Sequence, residues 1–167
     1  MLVAVDTNVL LDQAVDDADV WDAITTIRER LKKETFLVLP TVLEELGIQM
    51  EKGSKAERAA AEKALSCLKE WQYEPINVIA VGKGIAEQIS FKLRSRGVLP
   101  DEEINDGFII AEAAILGCGL LLSSDHHLLD AQENPALLEV LRDSDVDGDK
   151  LVIGSPRTIA SRFFRRR

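Results

Sequence analysis

Four carboxylates in this chain stand where solvation alone explains them poorly. Asp6 follows directly on the apolar run Leu2–Val5, and Asp125 closes the triplet Ser123-Ser124-Asp125 after a second run, Leu120–Leu122. In a parallel sheet the carboxyl ends of the strands form the binding edge, so two strands ending in hydroxyl and carboxylate side chains aim Asp6 and Asp125 at one crevice. Glu45 lies just inside the helix after another apolar run, with Leu43 and Leu46 turned to the core beside it. Asp106 opens a segment in which Ile109, Ile110, Ala113 and Ala114 pack inward, which places Asp106 one turn earlier on the same side. A carboxylate on an inward stripe calls for a cation, a cap or a functional demand, because burying an unpaired charge is costly.

The composition of the set favours Mg²⁺ or Mn²⁺, which take oxygen ligands from a few carboxylates and keep waters for phosphates to displace. Zinc is a poor fit, since the only histidines, His126 and His127, are adjacent and no HExxH or CxxC occurs. Each acid also has a structural reading. Asp6 can cap a helix starting near Asn8, Asp106 can stabilise a helix N-terminus, and Asp125 can cap the turn at His126. Glu44 neighbours Glu45 by about 100° around the helix, so only one of the two faces the crevice. An aspartyl-nucleophile phosphotransferase also begins strand-Asp, but it needs a second Asp where Asn8 stands.

Other charged features read more plainly. Asp143 to Asp149 imitates the start of an EF-hand loop, but Gly154 occupies the twelfth place and Lys150 the eighth, so an acidic turn is the better reading. His126 and His127 read as polar turn residues, with His126 the one able to approach a substrate. Glu102, Glu103 and Glu112 read as solvated helix charge, with Glu102 in reach of the crevice rim.

The elements that must position the acids alternate as βαβ units do. Strands are expected at Leu2–Val5, Phe36–Leu39, Ile76–Val81 and Leu120–Ser123, with an edge strand at Leu151–Ile153. Helices are expected around Val20 to Leu31, from Pro40 to Met50, from Lys55 to Tyr73, from Ile85 to Arg96 and from Glu103 to Cys118. At 167 residues and 46% hydrophobic content, one domain with its own core is the expectation. No apolar run approaches the roughly 20 residues of a membrane span, and the first residues carry no basic region, so a cytoplasmic protein with no membrane partner is expected. Cys67 and Cys118 sit in unrelated apolar stretches and are read as unpaired. The net charge of -9 repels polyanions, and it is uneven. Five of the twenty basic side chains lie after residue 156 with no acid among them, which leaves fifteen against all twenty-nine acids in the rest. That arginine-rich end is read as a phosphate-binding arm, a docking segment or a disordered terminus.

The order Val5-Asp6-Thr7-Asn8, then Pro40 with Glu45-Leu46, then Asp106 with Ile109-Ile110-Ala111 and Ala113, then Leu122-Ser123-Ser124-Asp125 resembles the PIN-domain family of metal-dependent ribonucleases. That family includes toxins of many prokaryotic toxin–antitoxin pairs. The resemblance spans about residues 2 to 130 and implies a three-layer α/β/α sandwich on a mostly parallel sheet, with a nuclease domain over 1–156 and a tail over 157–167. It implies that Asp6, Glu45, Asp106 and Asp125 hold one or two Mg²⁺ or Mn²⁺ ions, supported by Asn8 and the Ser123 hydroxyl. The implied activity is endoribonuclease cleavage leaving 5′-phosphate and 3′-hydroxyl, with RNA as substrate, an antitoxin protein as partner and a homodimer as assembly. A non-catalytic RNA- or protein-binding module is the alternative. Ser123 stands where the family more often has Thr, and the stretch beyond Asp130 is longer than in compact toxins.

Overall fold

The computed structural model describes residues 1–31 and 33–164. Five strands, β1 (Leu2–Val5), β2 (Thr35–Val38), β3 (Tyr73–Pro75), β4 (Cys118–Leu122) and β5 (Val152–Gly154), form one all-parallel sheet in the order β3-β2-β1-β4-β5. Covered on both faces, the middle strands are apolar at nearly every position: Val3, Ala4, Val5, Phe36, Leu37 and Val38 are all buried. The order runs outward from β1 in one direction and then reverses through β4 to β5. The carboxyl ends of β1 and β4 therefore flank the switch point where such sheets open a crevice.

Nine helices are present among the described residues: α1 (Thr7–Ala14), α2 (Ala18–Arg30), α3 (Pro40–Lys52), α4 (Lys55–Cys67), α5 (Ala80–Ser95), α6 (Ile104–Ile115), α7 (His126–Glu133), α8 (Ala136–Arg142) and α9 (Pro156–Phe164). Right-handed crossovers put α1 to α4 on one face and α5 to α8 on the other. The packing agrees, with α3 on α4, α1 on α4, α5 on α6 and α5 on α8, while α9 returns to cover α2. This is the expected three-layer α/β/α sandwich.

Two expectations are corrected at the β3 edge. The apolar run Ile76–Val81 is not a strand: pairing with β2 is made by Tyr73 to Pro75 and ends where the Ile76 N–H donates to Val38 O at 3.1 Å. The run instead divides between a loop and the start of α5, and Ile79 is largely exposed. Tyr73 anchors the edge, edge-on to Phe36 with its hydroxyl donating to Gln13 Oε1 at 2.6 Å. Nor does the preceding helix reach Tyr73. It stops at Cys67, the chain turns with Gln72 at φ 58°, and the Arg28 guanidinium ties the turn by donating to Trp71 O at 2.9 Å.

At the other end of the chain, Ile159 and Ala160 of α9 are buried against α2, and Arg157 pairs with Asp19. Arg165 to Arg167 lie outside the described residues. In the acidic turn, Asp143 pairs with Arg96, Asp149 with Arg142 and Asp147 with Lys150. Both cysteines are unpaired, and no helix among the described residues is long and apolar enough to cross a membrane.

Helix α6 is seated unusually close to α5. A Cβ built on Gly107 would stand 2.4 Å from Ser90 Oγ and 3.0 Å from Ser90 Cα, and that hydroxyl already donates to Ile104 O. Gly107→Ala is expected to cost about 1–3 kcal/mol by forcing the helices apart. Urea denaturation measures it, and a change below about 0.5 kcal/mol, the usual scatter of surface substitutions, would show that the contact yields.

Candidate metal centre

The site is built where β1 and β4 end side by side. The Asp6 N–H donates to Leu122 O at 2.9 Å, carrying the pairing one residue past the strand. Asp6 Oδ1 then accepts the Thr7 N–H at 2.7 Å as the N-cap of α1, and Oδ2 accepts the Ser123 hydroxyl at 2.6 Å. Ser123 Oγ in turn accepts the Asp125 N–H at 2.9 Å, while Asn8 Oδ1 accepts the Ser124 N–H at 3.1 Å. Asn8 and Ser123 thus lace the two strand ends together. Asp125 caps α7 through the His127 N–H, so both Asp6 and Asp125 are helix caps and cleft-lining acids at once.

The other two acids come from the helices. Glu45, in the second turn of α3, accepts the Thr7 hydroxyl on Oε2 and the Asn105 amide on Oε1 at 2.9 Å. Glu44 faces away, into a separate cavity lined by Thr41 and Glu112. Asp106 enters from the first turn of α6, where the N-cap Glu103 gives no side-chain cap. Its Oδ2 is buried and has no hydrogen-bond partner among the described residues. The sequence-expected set Asp6, Asn8, Glu45, Asp106 and Asp125 lines one cleft of about 400 Å³, with Ser123 buried just behind Asp6.

Two neighbours join them that the sequence reading set aside. Glu103, read as solvated, lines the cleft half-buried; it precedes Asp106 by three residues, the spacing that puts two side chains on one helix side. His127, rather than the exposed His126, turns inward, with Nδ1 3.2 Å from Glu103 Oε1. No lysine or arginine lines the cleft among the described residues.

Crowding shows in the electrostatics. Burial first, then the charges of Asp125, Asp6, Glu103 and Glu45, push the Asp106 carboxyl up to about 8. Burial also raises Asp6, to about 6, against the Ser123 and Thr7 hydrogen bonds that pull it down. A buried unpaired carboxylate oxygen and five converging acids, with no lysine or arginine among the described cleft residues, form the donor set of a hard divalent cation, and the residues fit one.

Glu112 is a further correction. It is buried, and its carboxylate accepts both the Thr41 N–H at 3.1 Å and the Thr41 hydroxyl at 2.8 Å. Helix α3 has no side-chain cap of its own, so Glu112 of α6 supplies one and fixes α3, which carries Glu45, to α6, which carries Asp106. The signal lay in the surrounding sequence, since a helix apolar on all sides is a buried one. Glu112→Ala is expected to cost about 1–3 kcal/mol by orphaning those two Thr41 donors, and Glu112→Gln, which keeps an acceptor, less. Equal melting of the two variants would deny the cap.

A family model described as the PIN domain matches residues 3–134, a stretch that holds all four of the expected acids. No curated protein matches. Among solved structures, a chain in the crystal structure of VapBC2 from Rickettsia felis bound to a DNA fragment from their promoter superposes with a TM-score of 0.61. It is 16% identical, and the match covers 93% of this chain and 98% of that one, a likeness of fold. An all-parallel sheet that reverses between Asp6 and Asp125 and a family match over most of the length lead to one assignment: the chain belongs to the PIN-domain family.

Proposed function

We propose that this chain is a Mg²⁺- or Mn²⁺-dependent endoribonuclease that hydrolyses RNA phosphodiester bonds. One observation carries the reading: the Oδ2 of Asp106, buried and unpartnered in the midst of four other cleft acids. Asp6, Asp106 and Asp125 would hold the ion, with Glu45 completing the set. When bound, the ion supplies an acidified water and neutralises charge developing on the phosphoryl oxygens.

The chain's own groups prepare for that chemistry. Ser123, by donating to Asp6 Oδ2, fixes the rotamer of the most buried acid, and Thr7 and Asn105 hold both oxygens of Glu45. Asp106 releases its proton on loading, which makes loading easier as pH rises towards 8. With no lysine or arginine among the described cleft residues, and with Arg162 beside Met1 and Gly119 at the amino ends of the strands, charge neutralisation of a phosphate in the cleft falls to bound metal or to a second chain.

The likeness to a chain of the R. felis VapBC2 complex supports a narrower form of the proposal, in which the chain is a toxin held by an antitoxin; a cytoplasmic location and a homodimeric assembly enter the proposal from the sequence alone. The test is cleavage of an RNA pool by the purified full chain: abolished by EDTA, restored by Mn²⁺ or Mg²⁺, and leaving 5′-phosphate and 3′-hydroxyl ends. RNA retained without any metal-dependent cutting would instead assign a binding module, and cutting that persists in EDTA would remove the metal from the reaction.

A further inference from the structure

The two flanks of the cleft differ in chemistry. On the Asp6 side every donor is oxygen. On the α7 side the Nδ1 of His127 faces three carboxylates, 3.2 Å from Glu103 Oε1, 3.8 Å from Asp125 Oδ1 and 4.0 Å from Asp106 Oδ2. The ring is held there by its own backbone N–H on Asp125 Oδ1 and by the His126 ring, whose centroid lies 3.9 Å away. A hydrogen bond to Glu103 would account for the shortest contact only, and it leaves the buried Oδ2 of Asp106 without a partner.

We propose that Glu103, Asp106 and His127 form a cation position of their own on the α7 flank, with one nitrogen and two carboxylate donors, selective for Mn²⁺, Co²⁺ or Zn²⁺ over Mg²⁺. One donor atom from each of the three lies within 4.8 Å of the others. Donors around a tetrahedral ion with bonds of about 2.0–2.1 Å stand roughly 3.4 Å apart, so small side-chain rotations close the set. An imidazole separates the metals. Nitrogen ligands favour the later transition ions in the order Mn²⁺, Co²⁺, Zn²⁺, whereas Mg²⁺ keeps to oxygen and to its waters. The inference rests on the metal-centre reading only through Asp106, which the two positions share.

The experiment uses the metal-free full chain. Titration with Zn²⁺ is followed at the imidazole nitrogens by ¹H–¹⁵N NMR, Co²⁺ by absorption, Mn²⁺ by the loss of its free EPR signal and Mg²⁺ by calorimetry. Zn²⁺ should move the His127 Nδ1 resonance. Glu103→Gln, which also takes a carboxylate from the cleft set, should weaken Co²⁺ and Mn²⁺ more than it weakens Mg²⁺. His127→Ala should weaken Co²⁺ and Mn²⁺ by at least about tenfold, the lower end of what loss of an outer-shell partner costs, and leave Mg²⁺ affinity where it was. His127→Asn, which keeps a polar group at the start of α7, should do the same and guards against misfolding, with the thermal midpoint as control. The proposal is overturned if Zn²⁺ leaves both His127 nitrogens unmoved, or if His127→Ala and His127→Asn bind Co²⁺ as wild type does. The two readings separate cleanly: RNA cleavage that fails with every metal while His127 still answers Zn²⁺ sinks the nuclease and keeps this position. Cleavage with Mg²⁺ beside a silent His127 does the reverse.

Discussion

Asp106→Asn is expected to lower metal-dependent RNA cleavage by about 10³-fold or more while the metal-free protein melts at or above the wild-type temperature. The substitution keeps the shape of the side chain and removes one charge from a cleft that holds five carboxylates. Two opposed effects set the sign of the stability change. A charge in the first turn of α6 is worth about 0.3–1 kcal/mol against the helix dipole. Burial and four like charges act the other way, strongly enough to push the carboxyl up to about 8, so relief wins. Mn²⁺ should raise the wild-type midpoint as binding to the folded state alone requires, and raise the variant's far less. Scanning fluorimetry with a cleavage assay decides it. A variant that cuts at the wild-type rate removes Asp106 from the site, and a metal-free midpoint several degrees lower gives it a structural role instead.

The second large effect is on pH. In the folded protein Asp106 holds its proton up to about 8 and Asp6 to about 6, while both release it near 3.8 once unfolded. Between those values the native state binds more protons than the unfolded state, so metal-free stability falls as pH rises from about 4 to about 8 and levels off above. Metal loading runs against protons and should show the opposite trend, with the Mn²⁺-induced rise in midpoint growing from pH 6 to pH 8. Asp106→Asn should flatten the metal-free profile in its upper half, from pH 6 to pH 8. Thermal midpoints of the two proteins at half-unit steps, with EDTA and with Mn²⁺, measure this. A wild-type profile that parallels the variant's over that window would contradict the buried, crowded Asp106.

What was legible in the sequence follows from which interactions are local. An apolar run that stops at an acid announces itself, so the ends of β1 and β4, with Asp6 and Asp125, could be read directly, and so could the inward side of α6 that carries Asp106. Strand β3 could not. Only Tyr73 of its three residues is buried, and its pairing depends on Phe36, far away in the chain, whereas the nearby run Ile76–Val81 imitates a strand by composition alone. The inward turn of His127 was equally hidden. Which of two adjacent histidines meets the acids depends on how α7 leaves its Asp125 cap, and the cap was legible while the direction was not. Glu112 differs, because its all-apolar setting was in plain sight and charge alone argued for solvent.

The hydrogen bond from Ser123 to Asp6 joins residues 117 apart in the chain. During synthesis β1 appears first, yet the neighbour that completes its other side, β4, is among the last strands to emerge. At the ordinary pace of about 5–20 residues per second, several seconds of translation separate Asp6 from Asp125. Throughout that interval the chain remains on the ribosome, surrounded by RNA, with its acids unassembled. Closure of this long loop and completion of the cleft are one event, so a truncated or stalled product that lacks β4 has no assembled cleft to present.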